Sequence, residues 1–261
     1  MFRYFKNLYK YRYLLYNLTA REIKSRYKQS VLGYFWVILN PLLQMFVLAF
    51  VFSFFIRIPA DFNIPYSVFL YSGLLPWNLF VFSLTSSTTS LIENEALLKK
   101  VYFPREIIIT STVIAKIYDF LLASTIFVGF LIYYHINITT IIFLYPIVLL
   151  IQIFFTLGLS FILSSLNLFY RDIQYLMNAV ILMWFYLTPV IYPIELIPER
   201  FRFIFQLNPM SVLINAQRRT IFGGAELNYT SMIIAVLLSL FIFQVGYMIF
   251  KKLEGLFADV V

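Results

Sequence analysis

Apolar residues run in long blocks along this chain, and charged residues collect between the blocks. A helix rises about 1.5 Å per residue, so crossing a hydrocarbon layer about 30 Å thick takes roughly 20 mostly apolar residues. Six segments meet that length: Gly33 to Ile56, Tyr66 to Ile92, a stretch within Ile107 to Tyr134, Ile138 to Leu166, Ile173 to Tyr192, and Ser231 to Phe250. The second carries "GLLPWN", where Pro76 removes a helical hydrogen bond and predicts a kink. No internal repeat or low-complexity tract interrupts the series.

The first 30 residues differ from the rest. Read at 100° per residue, they place Arg3, Lys6, Lys10, Asn17, Arg21, Lys24 and Lys28 on one face, with Phe5, Leu8, Tyr9, Leu15, Tyr16 and Ile23 elsewhere. Such a pattern predicts an amphipathic helix in the membrane interface. A solvated basic tail would leave those aromatic residues in water. No small-residue cleavage site follows, and the next apolar run is too long for a signal peptide. The expected organisation is therefore an interface helix over 1–30 and a six-helix transmembrane domain over 31–261, all-α throughout.

Composition agrees with that division. Of 261 residues, 62% are hydrophobic and 12% charged, and mean hydropathy is +0.85. Soluble domains hold about 45–50% apolar and about 25% charged residues, so a soluble fold is excluded and a polytopic membrane protein expected. The chain has no cysteine and one histidine, which removes disulfides, thiolate metal sites and multi-histidine sites. No cofactor is expected in this chain.

The net charge of +8 would suit nucleic acid, but its distribution follows the membrane instead. Arg3, Lys6, Lys10, Arg12, Arg21, Lys24, Arg26, Lys28, Lys99, Lys100, Arg105, Arg171, Lys251 and Lys252 fall on one side of a six-span topology. Arg57, Arg200, Arg202, Arg218 and Arg219 fall on the other. Cations prefer the cytoplasmic side, so both termini are expected in the cytoplasm.

Charged residues inside the spans would mark an ion-coupled transporter. Only Lys116 and Asp119 qualify, three apart on a helix and able to pair. Counting back from Tyr134 sets Lys116 near the inner interface, where its ammonium can snorkel. A structural pair is expected there rather than a proton relay. No G-x-x-x-x-G-K-[ST] stretch, G-x-S-x-G or H-E-x-x-H occurs, so neither a P-loop ATPase nor a common hydrolase site is expected. Asn17, Asn137 and Asn228 begin three-residue glycosylation patterns that arise easily by chance, and His135 sits in a short turn where solvation accounts for it.

Several stretches carry a family resemblance. "REIKSRYKQSVLGYFWVILNPL", "LLPWNLF", "KKVYFPREI", "LNLFYRDIQYL", "LTPVIYP" and "LNPM" occur in this order. Together they resemble polysaccharide-type ABC exporter permeases, the membrane subunits that export O-antigen, capsule or teichoic acid chains. The resemblance covers the chain nearly end to end. It implies a multi-pass protein of the inner (cytoplasmic) membrane that forms a homodimer with two copies of a separate ATPase. It also implies a lipid-pyrophosphate-linked polysaccharide as substrate, with ATP and Mg bound on the partner subunit. This chain is then a transport subunit and not an enzyme.

The resemblance further implies that residues 92–106 form a segment that meets the ATPase. Glu93, Glu95, Lys99, Lys100 and Arg105 are the candidate contacts, and an ordinary positive-inside loop would look much the same. The outer stretch of roughly 37 residues between the last two spans is too rich in Phe and Leu for a solvated loop. Pro193, Pro198 and Pro209 forbid one straight span, so two short re-entrant helices over about 194–219 are expected. The resemblance implies an outer gate there, and a simple lid is the alternative.

Candidate channel residues come from helical spacing. Asn40, Gln44 and Val47 share a face of the first span, and Asn178, Phe185 and Thr188 share one on the fifth, beside Trp184 and Tyr186. Polar residues within a span seldom face lipid, so these faces line either a channel or a helix contact. Drug or small-lipid export on the same scaffold, and a membrane-embedded glycan or lipid enzyme, remain the alternative functions. No acid pair at a membrane face favours the enzyme.

Overall fold

The computed structural model describes residues 2–27, 32–56, 64–223 and 229–257, and these form an all-helical bundle without a strand among them. Lys28 and Arg57 lie outside the described residues.

The amino-terminal arm folds as two helices, α1 (Phe2–Lys10) and α2 (Arg12–Tyr27), broken at Tyr11. Tyr4, Leu8, Leu14, Leu15 and Leu18 turn toward the bundle. Phe5, Tyr9, Tyr13 and Tyr16 stay exposed, as do Lys6, Lys10, Arg21 and Lys24. The aliphatic residues thus dock the arm, and the tyrosines sit beside the cations on the open face. Tyr and Trp favour the headgroup layer because one end is apolar and the other wet, so this open face suits a membrane surface.

Among the described residues, five helical stretches are long and apolar enough to cross a membrane. They are α3 (Phe35–Phe50), extended by a π-helical turn over Val51–Ile56; α4 (Tyr66–Glu93); α6 (Glu106–Tyr133); α7 (Tyr145–Phe169), preceded by a 3-10 turn; and α11 (Tyr229–Leu253). A sixth, α8 (Ile173–Tyr186), is apolar but has only 14 residues. At 1.5 Å per residue it reaches about 21 Å, short of the layer. The sequence reading carried this segment to Tyr192, but Pro189 biases Thr188 away from helical backbone and the chain turns there. Between α4 and α6 lies the short α5 (Glu95–Lys100), and beyond α8 come α9 (Glu199–Leu207) and α10 (Pro209–Phe222). Two short helices over about 194–219 were expected, and α9 and α10 occupy that stretch.

The helix α4 is the axis of the bundle. In its most apolar window 83% of residues are buried, against 17% for α3, so α3 is peripheral and α4 central. Its mean hydropathy, 1.4, is the lowest of the five. The main core surrounds it: Phe69, Leu70, Tyr71, Leu74, Phe80 and Leu84 meet α6, α7 and α10. The helix runs on through Pro76, whose carbonyl accepts a hydrogen bond from Gln152 Nε2 at 2.7 Å. Gln217 Nε2 donates in turn to Gln152 Oε1, so a chain of amides ties α10 and α7 to α4. A buried amide costs free energy unless bonded; both Nε2 groups donate here, while Gln217 Oε1 finds no partner among the described residues.

The most extensive helix pair is α7 with α11. A Cβ on Gly158 would lie 2.6 Å from the Phe243 backbone, and one on Gly246 would lie 2.1 Å from the Gly158 carbonyl oxygen. Small residues let backbones approach this closely, and dispersion then replaces hydrophobic drive as the main attraction within a membrane. A second core sits at the end of the bundle carrying the arm, where Tyr4 meets Phe161, Phe243 and Tyr247 edge to face and Phe250 packs tilted on Phe161.

Candidate functional site

Two regions carry the candidate residues. The first is the charged segment between α4 and α6. Leu98 is buried and anchors α5. Glu95 lies in the first turn and Lys99 and Lys100 in the last, each charge at the helix end that favours its sign. Lys99 Nζ bonds Glu95 Oε1 at 2.6 Å, and this hydrogen bond, then the lysine charge, holds the Glu95 carboxyl below its ordinary range. Glu93 Oε1 accepts a hydrogen bond from Thr89 Oγ1 at 2.6 Å. Glu93, Glu95, Lys99 and Lys100 are all exposed.

Arg105 differs from them. Its guanidinium donates to the Glu254 backbone carbonyl and lies 5.7 Å from the centre of the Phe257 ring. Its side chain is thus engaged within the bundle, against the carboxy-terminal turn. Tyr102, which the charge pattern passes over, is 98% exposed on the same loop. An aromatic residue held fully outward on a charged loop is a ready anchor for a partner protein.

The second region is the flank of α4 between α3 and α8, both of which pack on it. On α3, Asn40 and Val47 are exposed, and Gln44 Oε1 accepts from Asn78 Nδ2 at 3.0 Å. Asn40 borders a cavity of about 180 Å³ with Trp36, Asn78, Phe82, Lys116 and Asp119. Lys116 is buried, its ammonium 6.0 Å from the centre of the Phe82 ring. It lies ten residues along α6 from Glu106, about 15 Å up the axis.

On α8, Asn178 is exposed and lines a cavity of about 270 Å³ with Gln174, Thr85, Thr88 and Thr89. Tyr186 is also exposed. Phe185 packs on Trp77 with ring centres 5.5 Å apart. Trp184 turns inward against Phe80 and Phe155, and its Nε1 donates to Asn208 Oδ1 at 3.0 Å. Thr188 is buried; its hydroxyl donates to the Trp184 carbonyl and accepts from Asn208 Nδ2.

The candidates therefore divide. Asn40, Val47, Asn178 and Tyr186 are open to the surroundings of the single chain. Trp184, Phe185 and Thr188 are engaged within it. Helical spacing puts them on two faces, with Trp184 and Tyr186 beside the second, but the chain fills part of that face from within. Sequence reasoning missed Thr85, Ser86 and Thr89, which leave a half-buried hydroxyl stripe on α4. Their signal was the run "SLTSSTTS" within an otherwise apolar span.

On the opposite side, Arg218 closes the bundle. Buried in α10, it donates to the carbonyls of Pro189 and Val190 at 2.6 Å each and lies 3.8 Å from the centre of the Phe69 ring. Arg219 pairs with Glu195 at 3.6 Å. These contacts fasten α10 to the start of α4 and to the turn after α8.

The chain matches the ABC-2 type transporter family over residues 13–222. It is 37% identical over 250 residues to the O-antigen export system permease protein RfbA of Klebsiella pneumoniae, covering 95% of this chain and 94% of that protein. It is 36% identical over 219 residues to the RfbA protein of Myxococcus xanthus, covering 83% of each. More distantly, it is 26% identical over 235 residues to the polysialic acid transport protein KpsM of Escherichia coli, covering 85% of this chain and 88% of that one.

Proposed function

The chain belongs to the ABC-2 type transporter family, and from that premise we propose that it is the membrane permease of an O-antigen-like polysaccharide exporter. The observation that carries this reading is the 37% identity to an O-antigen export permease across 95% of the chain. Two copies of the chain span the inner membrane with both termini cytoplasmic, and α8 serves as a short fifth span of six. Two copies of a separate subunit bind ATP and Mg. Residues 92–106 receive the motion of that subunit, and Glu95, Lys99, Lys100 and Tyr102 supply the exposed contact groups. The helices α9 and α10 dip into the outer leaflet as a gate.

The substrate is a lipid-pyrophosphate-linked glycan. Sugar rings have apolar faces that stack on aromatic side chains, while their hydroxyls need hydrogen-bond partners. The open groups on α3, α4 and α8 offer both: Asn40, Thr85, Ser86, Thr89 and Asn178 for hydroxyls, and Tyr186 for a ring face. Many weak and similar contacts favour sliding over tight binding.

The test is transport. The permease, assembled with its ATPase in inside-out vesicles, is expected to move a lipid-linked glycan into the lumen only when ATP is hydrolysed. An assembled complex that hydrolyses ATP but leaves every glycan offered outside would sink the reading.

A further inference from the structure

Glu106 is the first residue of α6, and its carboxylate is completely buried. Three donors from distant parts of the chain converge on it. Asn7 Nδ2 of α1 reaches Oε1 at 2.8 Å, Tyr247 of α11 reaches the same oxygen at 3.3 Å, and Lys251 Nζ of α11 reaches Oε2 at 2.5 Å. Lys251 also bonds Glu254 Oε2 at 2.7 Å. Glu254 Oε1 in turn accepts the backbone N–H of Arg105 at 2.9 Å, beside the Arg105 guanidinium on its carbonyl. One turn along α6, the hydroxyls of Thr110 and Tyr4 of α1 meet at 3.1 Å.

The other end of the same segment is tied as well. Arg21 of α2 donates to Asn94 Oδ1, at the residue between α4 and α5. Residues 95–105 are thus held at both ends by polar bonds, upstream to the interface arm and downstream to the arm and the last helix.

Such bonds differ physically from the apolar packing around them. Hydrophobic contact is non-directional and by itself selects no single register between packed faces. A buried ion pair with fixed hydrogen-bond geometry resists sliding, because a displaced carboxylate would be left unpaired at low dielectric. The Glu106 cluster therefore adds a fixed register to the apolar packing at this end of the bundle.

From this geometry we infer that Glu106, with Asn7 and Lys251, is a transmission joint. It makes the interface arm and the last helix follow the ATPase-facing segment as one body. Glu106 acts as a positioning residue and touches neither nucleotide nor glycan. This inference rests on the exporter reading above.

The test separates transmission from mere stability by measuring glycan exported per ATP hydrolysed in the reconstituted complex. Glu106→Gln keeps the side-chain shape and removes the charge. It is expected to leave stimulated hydrolysis near wild type while export falls several-fold. Asn7→Leu leaves the Glu106–Lys251 pair intact, removes only the arm's bond to Glu106, and is expected to lower the same ratio. It is the variant to read where E106Q fails to assemble. Lys251→Arg keeps a cation between Glu106 and Glu254, so the ratio should stay near wild type in that variant. A purely structural cluster would lower hydrolysis and export in proportion to the complex recovered and leave the ratio unchanged, which would overturn the inference. A wild-type complex with no ATP-dependent export would instead overturn the exporter reading, and this inference with it.

Discussion

Trp184 and Asn208 are joined side chain to side chain, the indole Nε1 donating to the amide Oδ1 at 3.0 Å. The same Asn208 caps α10 through the Met210 N–H and donates Nδ2 to Thr188 Oγ1. One asparagine therefore fixes the end of α8, the turn after it and the start of α10. Asn208→Ala removes a helix cap and leaves the indole donor without its acceptor. The expected loss is about 2 kcal/mol, read as a lower Tm in detergent. An unchanged Tm would show that the hub is dispensable.

Neighbouring aromatic residues on α8 should behave oppositely. Trp184 packs on Phe80 and Phe155, so Trp184→Ala opens the core at a cost of about 3 kcal/mol or more. Tyr186 is exposed, and Tyr186→Ala should leave Tm unchanged. It should slow glycan export partially, since base–aromatic stacking of about 1–3 kcal/mol sets the scale for a single platform. Measuring Tm and export on both variants checks the division. A destabilised Y186A or a stable W184A would contradict it.

The α7–α11 crossing depends on the absence of two side chains. Gly158→Ala and Gly246→Ala each push a methyl into facing backbone, and backbone cannot step aside as a flexible side chain does. Overpacking of this kind costs about 1–3 kcal/mol or more. Gly129→Ala meets nothing within 4 Å on the helix α6 and serves as the control. In a helix, Ala is favoured over Gly by about 1 kcal/mol. The yield of folded protein after detergent extraction should fall for the first two and hold for the third.

The short helix α5 should respond to pH through Glu95. Its carboxyl is held below the ordinary range by the Lys99 hydrogen bond and charge. A depressed carboxyl contributes its tie fully above its unfolded pKa and loses it as pH falls through the folded one. The bond to Lys99 should thus persist through the ordinary carboxylate range and fail only below it. Carboxyl NMR of labelled protein in micelles would follow the titration. In Lys99→Met the midpoint should move up, and an unmoved midpoint would assign the shift to another group.

Topology can be read with single cysteines, because the chain contains none. An impermeant thiol reagent applied to intact cells should label a cysteine at Asn137, in the turn after α6, and spare cysteines at Ser25 and Asn94. The opposite pattern would reverse the orientation.

Helices were legible where length and composition decide. The blocks that became α3, α4, α6, α7 and α11 needed only a count of apolar residues. The fifth block was harder, because a hydropathy window registers Thr188 and Pro189 as tolerable and does not register that they end a helix. Side-chain roles were less legible still. Trp184 and Thr188 share a polar face by spacing, yet α10 brings Asn208 across to occupy them, a relation no local pattern encodes. Arg105 reads as one more surface cation until Glu254 is set beside it from 149 positions away. Lys99 and Lys100 stay exposed, as a charged position in a short loop reads from the sequence.

The central position of α4 bears on how the protein is made. It leaves the ribosome before α6, α7, α8 and α10, all of which pack on it. Until they arrive, the least apolar of the long helices has α3 as its packed companion among the described helices made before it. Ser83, Ser87, Thr88 and Ser90, buried in the finished bundle, would then border lipid. Biogenesis therefore favours holding α4 at the insertion machinery until α6 and α7 have been synthesised, so that these helices partition into the bilayer as a group rather than one after another.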